Sequence, residues 1–259
     1  MFVKIFNRKY KKKIEFNVRL HEFTRARFLR KIAILPILWF ADHIYVPAMK
    51  DRKVTMKFAG KKVRQTTIGT NIQVGSNEPL ITDKKVISYF GSVYPGKGIE
   101  RMLSIWKQIK DQDKENKYTF KIIGDVGIEE NNHFRDFHKQ VLQWLEKYDM
   151  KDFVEITGYL SDEDVSKEIQ KTSIATLPYE DGLTLRRGSF LAYLSHGIPV
   201  VTSEGDDEAK ELFDSCKGVS MTCTDEEFIK TVLKYGAMCK EELQEINAEN
   251  VKLSEYFRW

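Results

Sequence analysis

From Lys85 onward the chain alternates short β-rich runs with segments of helical period, and that alternation limits its fold more than any other feature. The β-rich runs lie at 86–91, 118–124, 154–158, 173–178, 199–203 and 218–223. Between and after them, the spacing predicts helices at 98–110, 134–148, 162–171, 185–196, 207–213 and 225–235. Ile99, Met102, Leu103 and Trp106 recur at helical spacing, as do Phe134, Phe137, Val141, Leu142 and Leu145. Ser161-Asp-Glu-Asp and Thr224-Asp-Glu-Glu set a hydroxyl cap before acids, the usual composition of a helix start. Strands alternating with helices build a parallel sheet covered on both faces. The fold class is therefore α/β, doubly wound.

The first 75 residues read differently. A strand at 14–20 precedes a helix at 23–40, kinked near Pro36; a strand at 43–47, a basic helix at 49–58 and a strand at 62–68 follow. Gly75-Ser-Asn-Glu-Pro, within the loose stretch 70–84, reads as a linker. Residues 1–75 thus form a small α/β piece, and 76–259 a complete α/β domain. With 259 residues and 42% of them hydrophobic, the chain can bury such cores.

Charge separates the two parts. Up to Thr67 there are 18 Lys and Arg against 4 Asp and Glu; the remainder holds 24 against 34. A basic first third points to anionic lipid headgroups, nucleic acid or an anionic substrate. Nucleic acid is disfavoured, because neither a groove-reading helix pattern nor a stacking platform accompanies the charge. Cys216, Cys223 and Cys239 form neither a disulfide framework nor a CxxC site, which points to a reducing, cytoplasmic setting. The basic start lacks the apolar run of a secretory signal. The longest apolar run, 32–41, is half the roughly 20 residues of a membrane span. Five histidines without an HExxH pattern give no metal site, and neither GxSxG nor GxxxxGK[ST] occurs.

In open parallel sheets ligands sit beyond the carboxyl ends of the strands, where helix N-termini offer free N–H groups to anions. Four strand ends here carry suitable chemistry. The first is Gly91-Ser92-Val-Tyr-Pro-Gly-Lys97-Gly98, whose glycines let backbone approach a ligand and whose lysine precedes a helix. An ordinary turn with a solvated lysine accounts for it as well. The second is Gly124-Asp125-Val-Gly127, where Asp125 is either a sugar-hydroxyl ligand or a turn residue. The third is Gly158-Tyr159-Leu160, where a base lies on Tyr159 or pairs with backbone, or Tyr159 is simply a packed aromatic. The densest is Pro178-Tyr-Glu-Asp181-Gly-Leu-Thr184-Leu-Arg186-Arg187-Gly188-Ser189. Two arginines at a helix start oppose the dipole unless an anion compensates. That anion is either a phosphate or the carboxylates of Glu180 and Asp181, and at least one arginine is expected to be phosphate-directed.

In this order the elements resemble the C-terminal, nucleotide-sugar-binding domain of GT-B glycosyltransferases, particularly family 4. The matching residues are Phe90-Gly-Ser-Val-Tyr-Pro-Gly-Lys97-Gly-Ile, Ile122-Ile-Gly124-Asp, Ile156-Thr-Gly158-Tyr-Leu and Thr176-Leu-Pro178-Tyr. Gly188-Ser-Phe-Leu-Ala192-Tyr-Leu-Ser-His-Gly197-Ile-Pro-Val-Val-Thr-Ser203 is the most specific stretch. Val18-Arg-Leu-His21-Glu22, Ala41-Asp-His-Ile-Tyr-Val and Ile68-Gly-Thr-Asn-Ile72 resemble the end of the N-terminal domain and its exit.

The resemblance implies sugar transfer from a UDP- or GDP-linked donor with retained anomeric configuration, no cofactor and no required metal. It gives Lys97 the leaving diphosphate and His21 the donor sugar and reacting centre, with Arg187 assisting the diphosphate. The donor would be held by Gly91, Ser92, Lys97, Gly124, Asp125, Tyr159, Leu160, Asp181, Thr184, Arg186, Arg187, Gly188 and Ser189. Three departures follow. Ser92 stands where the family usually has an arginine or similar group. Ala192 stands at the second glutamate of a pair whose first member falls at Thr184 or Asp181, and Arg186 or Arg187 is expected to replace the missing arginine. Early strand–helix units are missing, which makes the chain a fragment, a natural short form, or one completed by a partner subunit or a second copy. The acceptor would be a glycan or lipid-linked sugar, with the basic part peripheral on the inner face of an anionic membrane. The nearby Phe23, Phe28, Leu29, Ile32 and Trp39 are expected to be the packed face of a domain helix. A nucleotide-sugar-binding module without transfer activity is the alternative.

Overall fold

The computed structural model describes residues 7, 9–10, 14–21, 23–24, 26–75, 84–126 and 134–257. Most of the basic start, Glu22, the linker residues 76–83, Gly127 and His133 lie outside them. The chain divides into two compact units, Met1–Ile68 and Gly69–Arg258.

In the first unit β1 (Asn17–Arg19), α1 (Phe28–Phe40), β2 (His43–Val46), α2 (Met49–Ala59) and β3 (Val63–Gln65) follow one another. The strands form a parallel sheet in the order β1-β2-β3. Val18, Ile44 and Val63 stand in register, so one sheet face is apolar and packs with Phe23, Leu38 and Ala41. Three expected elements are shorter, each for a local reason. Asp42 accepts the Phe16 N–H at 2.8 Å, which takes that donor out of the β1 ladder. The helix starts at Phe28 rather than 23, because Phe23 is buried in the core and Asp51 holds the Thr24 backbone N–H at 2.8 Å. Lys62 belongs to a 3-10 turn before β3, its Nζ donating to the carbonyls of Trp39 and Ala41 at 2.8 and 2.9 Å.

The packed-face expectation is overturned for four of its five residues. Phe23 is buried, but Phe28 is 75% exposed, Leu29 78%, Ile32 48% and Trp39 61%. Leu38 is the one buried residue of α1. The apolar run that reads as a core helix packs Leu38, with Ile34 and Leu35 partly buried beside it, and turns most of the rest outward. No helix among the described residues is long and apolar enough to cross a membrane.

The second unit is the doubly wound domain. Its elements are β4 (Lys85–Phe90), α3 (Ile99–Gln112), β5 (Tyr118–Ile123), α4 (Arg135–Lys147), β6 (Val154–Ile156), α5 (Asp162–Gln170), β7 (Ile174–Leu177), α6 (Gly188–Ser195), β8 (Val200–Ser203), α7 (Asp207–Phe213), β9 (Val219–Thr222), α8 (Asp225–Gly236) and α9 (Lys240–Ser254). All six strands are parallel, in the order β6-β5-β4-β7-β8-β9. Strand order reverses between β4 and β7, so a crevice opens beyond their carboxyl ends. The core is continuous, and Trp106 spans it with its indole N–H donating to Thr176 Oγ1 at 3.0 Å.

Helix α6 begins at Gly188, not 185. Leu183 pairs with Gly205 instead, its N–H donating to the Glu204 carbonyl at 3.3 Å. The helix is then fixed along its length. Tyr193 hydrogen-bonds Ser88 of β4 at 2.6 Å, and burial pushes the Tyr193 hydroxyl well above its usual pKa. His196 is buried, its Nδ1 2.7 Å from the Ala192 carbonyl and its Nε2 2.8 Å from Ser166 Oγ. The neutral imidazole satisfies both, with Nδ1–H donating to the carbonyl and Nε2 accepting from the serine.

Burial lowers the His196 pKa, opposed by its bond to Ala192. Between the lowered folded value and the unfolded value of about 6.5 the unfolded chain binds more protons. Stability from this group is thus fully present above that unfolded value and is lost as pH falls through the window. A urea-denaturation series should show this acid-side loss in the wild type and lose that component in His196→Gln.

Candidate functional site

Three strand ends of the second unit enclose a pocket of about 400 Å³. Gly91, Ser92 and Val93 after β4 form one wall, Gly124 and Asp125 after β5 another, and Gly158, Tyr159 and Leu160 after β6 the third. The backbones approach closely here. A Cβ on Gly124 would stand 2.6 Å from the Gly91 carbonyl oxygen, and φ at Gly124 is +154°. Tyr159 is 89% exposed, so it stands at the rim with its ring open and is not a packed aromatic. Asp125 is also exposed.

Among the pocket residues that sequence reasoning did not assign are Phe134 and His138. Phe134 stacks on Tyr94 with ring centroids 5.4 Å apart, and buried His138 places Nε2 2.8 Å from the Val93 carbonyl. Together they brace the loop after β4. Their signal in the sequence is an i, i+4 aromatic–histidine pair opening a helix after a glycine turn.

The β4–β7 side of the crevice is cationic. Gly98 holds φ at +71°, and a Cβ there would lie 1.9 Å from the Pro178 carbonyl oxygen. That close approach brings the loop of Lys97 against the end of β7. Lys97 Nζ lies 4.8 Å from the Tyr94 ring centroid and 5.6 Å from that of Tyr179. Arg187 covers Tyr179 from 4.3 Å, donates to Asp181, and reaches the Gly182 carbonyl at 3.3 Å. The arginine–carboxylate pairing that the sequence admits is therefore present. Even so, the buried Arg187 Nε has no hydrogen-bond partner among the described residues, and the side chain is 15% exposed.

Tyr179 is fully buried, and burial pushes its hydroxyl up to about 12, with Ser189 and Arg187 pulling the other way. It stays protonated at neutral pH and hydrogen-bonds Ser189 Oγ at 2.6 Å. Ser189 lies in the first turn of α6, whose N-cap, Arg187, provides no side-chain cap. The first N–H groups of an uncapped helix point toward an anion position. Gly91 adjoins this point, since a Cβ on it would lie 3.5 Å from Ser189 Cβ. Pocket and cationic crevice are thus continuous.

Of the residues singled out from sequence, Gly91, Ser92, Gly124, Asp125, Tyr159 and Leu160 line the pocket, and Lys97, Asp181, Arg187 and Ser189 gather at the β7 side. Gly188 opens α6, and the Thr184 carbonyl accepts the Arg187 N–H at 3.2 Å. Arg186 is half-buried on the same loop. Ala192 is buried inside α6 and offers a ligand no polar atom from its side chain. His21 is exposed in the first unit, two residues beyond β1.

Known structures share this architecture. Sucrose-phosphate synthase from Thermosynechococcus elongatus superposes with a TM-score of 0.73 at 14% identity, over 98% of this chain and 66% of its own. HepE from Anabaena, solved with UDP and glucose, gives 0.68 at 12% identity, over 98% and 69%. A variant of TarM from S. aureus, solved with fondaparinux, alpha-GlcNAc-glycerol and UDP, gives 0.68 at 15%, over 98% and 49%. At such identities the likeness is one of fold, GT-B-like, and the chain spans about half to two thirds of the length of these structures. No curated protein sequence matches it. Residues 84–235, more than half of the chain, match the family described as glycosyl transferases group 1. With the crevice between β4 and β7 and its cationic wall, that match makes the chain a member of the group 1 glycosyltransferases.

Proposed function

We propose that the chain transfers a sugar from a UDP- or GDP-linked donor to a glycan or lipid-linked acceptor, with retention of configuration and without a required metal. Residues 76–259 bind the donor; residues 1–75 are the acceptor-side part, which works on the cytoplasmic side. The observation that carries this reading is the continuity of the pocket with the Lys97–Arg187 crevice at the switch point of the sheet. The pocket walls of backbone and exposed Tyr159 suit a base and ribose. The uncapped start of α6, Lys97 and the Arg187 Nε suit a diphosphate, whose charge grows as the glycosidic bond breaks. HepE and TarM were solved with UDP, which supports the same assignment. His21 would serve the donor sugar and reacting centre from the acceptor side.

Ala192 favours a second reading, a donor-binding module without transfer activity, because the carboxylate expected there for ribose is replaced by a buried methyl group. Calorimetric titration with UDP-, GDP- and ADP-sugars, with sugar release followed in the same samples, separates the two. Binding with slow release supports the transferase. Binding without release or transfer to any acceptor supports the module, and absence of binding overturns both.

A further inference from the structure

Tyr179 stands just past β7, where the Lys97 loop, the Arg187 loop and the start of α6 meet. Backbone ties it to two of them. The Glu180 N–H donates to the Gly96 carbonyl at 3.4 Å, and the Gly182 N–H to the Tyr179 carbonyl at 3.2 Å. Its side chain is 1% exposed, although a phenol carries a donor that destabilises the fold if buried without a partner. The hydroxyl lies 2.6 Å from Ser189 Oγ. Of the two hydroxyls the phenol is buried and the serine half-buried. The phenol is therefore the one that must place its proton inside. It donates to Ser189 Oγ, and the Ser189 proton is left for an acceptor in the crevice.

The ring has a separate task. Arg187 lies 4.3 Å from its centroid and Lys97 Nζ 5.6 Å, both within reach of a cation–π contact. Arg187 also pairs with Asp181. Among the described residues no carboxylate pairs with Lys97, whose ammonium has the rings of Tyr94 and Tyr179 beside it. A carboxylate would hold that ammonium at the cost of cancelling its charge. An aromatic face holds it and leaves the charge to a ligand.

We propose that Tyr179 is a positioning residue for the diphosphate: its ring gathers Lys97 and Arg187, and its hydroxyl turns the Ser189 O–H toward a phosphate oxygen. This rests on the reading that a nucleoside diphosphate occupies the crevice. Tyr179 itself, fully buried beneath these groups, acts through them.

The test is calorimetric titration of the full chain with UDP, GDP, uridine and guanosine. Tyr179→Phe keeps the ring and loses the hydroxyl, so it should weaken UDP or GDP about fivefold, the worth of one neutral hydrogen bond. Tyr179→Leu loses the ring contacts as well and should weaken them about 25-fold. If the leucine variant fails to fold, the phenylalanine variant decides alone. Affinity for the nucleosides should stay that of the wild type, because the losses fall on the phosphates. In a Ser189→Ala background Tyr179→Phe should cause no further loss, since the hydroxyl acts through that serine. Wild-type affinity for UDP and GDP in Tyr179→Phe, an equal loss for nucleoside and diphosphate, or an undiminished loss beside Ser189→Ala would overturn the inference. If Lys97→Ala weakens UDP or GDP and Tyr179→Phe does not, this inference alone falls. A wild type that binds neither, or whose affinity Lys97→Ala and Arg187→Ala leave unchanged, overturns the donor-site reading together with it.

Discussion

Gly98→Ala should destabilise the protein by about 2–5 kcal/mol and abolish donor binding with it. Two costs add: about 1–2 kcal/mol for a Cβ in the left-handed region, and about 1–3 kcal/mol for overpacking that neither backbone can relieve locally. The second arises because the new methyl would stand 1.9 Å from the Pro178 carbonyl oxygen. Gly96 provides the control, since it holds φ at +89° and a Cβ there would meet nothing within 4 Å, so its alanine variant carries only the first cost. Urea denaturation of both variants decides the matter. A Gly98→Ala loss within about 1 kcal/mol of the Gly96→Ala loss would show that the β4–β7 contact can open without harm.

Removing either cation from the crevice should weaken UDP or GDP binding by about 10- to 100-fold, the range expected for losing a charged hydrogen bond of about 1.5–3 kcal/mol. Lys97→Ala tests the cation that rests on two tyrosine rings, and Arg187→Ala the one shared between Asp181 and the orphaned Nε position. Arg52→Ala is the reference: Arg52 lies on α2 in the first unit, where it reaches Met49 Sδ at 3.9 Å. Calorimetry with the free nucleoside diphosphates should rank Arg52→Ala with the wild type. Equal affinities for Arg187→Ala and Arg52→Ala would leave the arginine a purely structural partner of Asp181. Arg187→Lys adds a finer reading, because it keeps the charge but loses the planar fork.

The strand–helix alternation made the second unit legible because buried parallel strands are short apolar runs bounded by glycine, and each helix shows its core stripe. Helix α9 is the exception. Its periodicity does not announce it, since its buried residues are Ile246, Asn250 and Ser254, a stripe with one apolar member. Asn250 is there to donate to the carbonyls of Ile198 and Gly218, at 2.9 and 3.3 Å, which hydropathy cannot register. Its N-cap is Cys239, outside the usual capping residues. In the first unit the same hydropathy signal misleads in the other direction. The run 28–40 reads as core, but burial depends on what lies against a helix: Leu38 alone is fully buried, and Ile34 and Leu35 pack partly buried beside it. At the site, the glycine loops and basic residues could be picked out by type and spacing. The sequence admits an arginine–carboxylate pair and shows Phe134 and His138 at i, i+4. That Arg187 takes Asp181, and that Phe134 and His138 brace Tyr94 and Val93, depends on how the loops fold back.

The loop from Asp181 to Arg187 is stitched to the end of β8, where Leu183 pairs with Gly205 and the Asp206 N–H donates to the Leu183 carbonyl at 3.0 Å. Its conformational entropy is therefore given up when the domain folds rather than when a ligand arrives. A donor meeting this wall should bind with little ordering penalty from it, so the heat measured there should reflect contacts and displaced water more than loop closure.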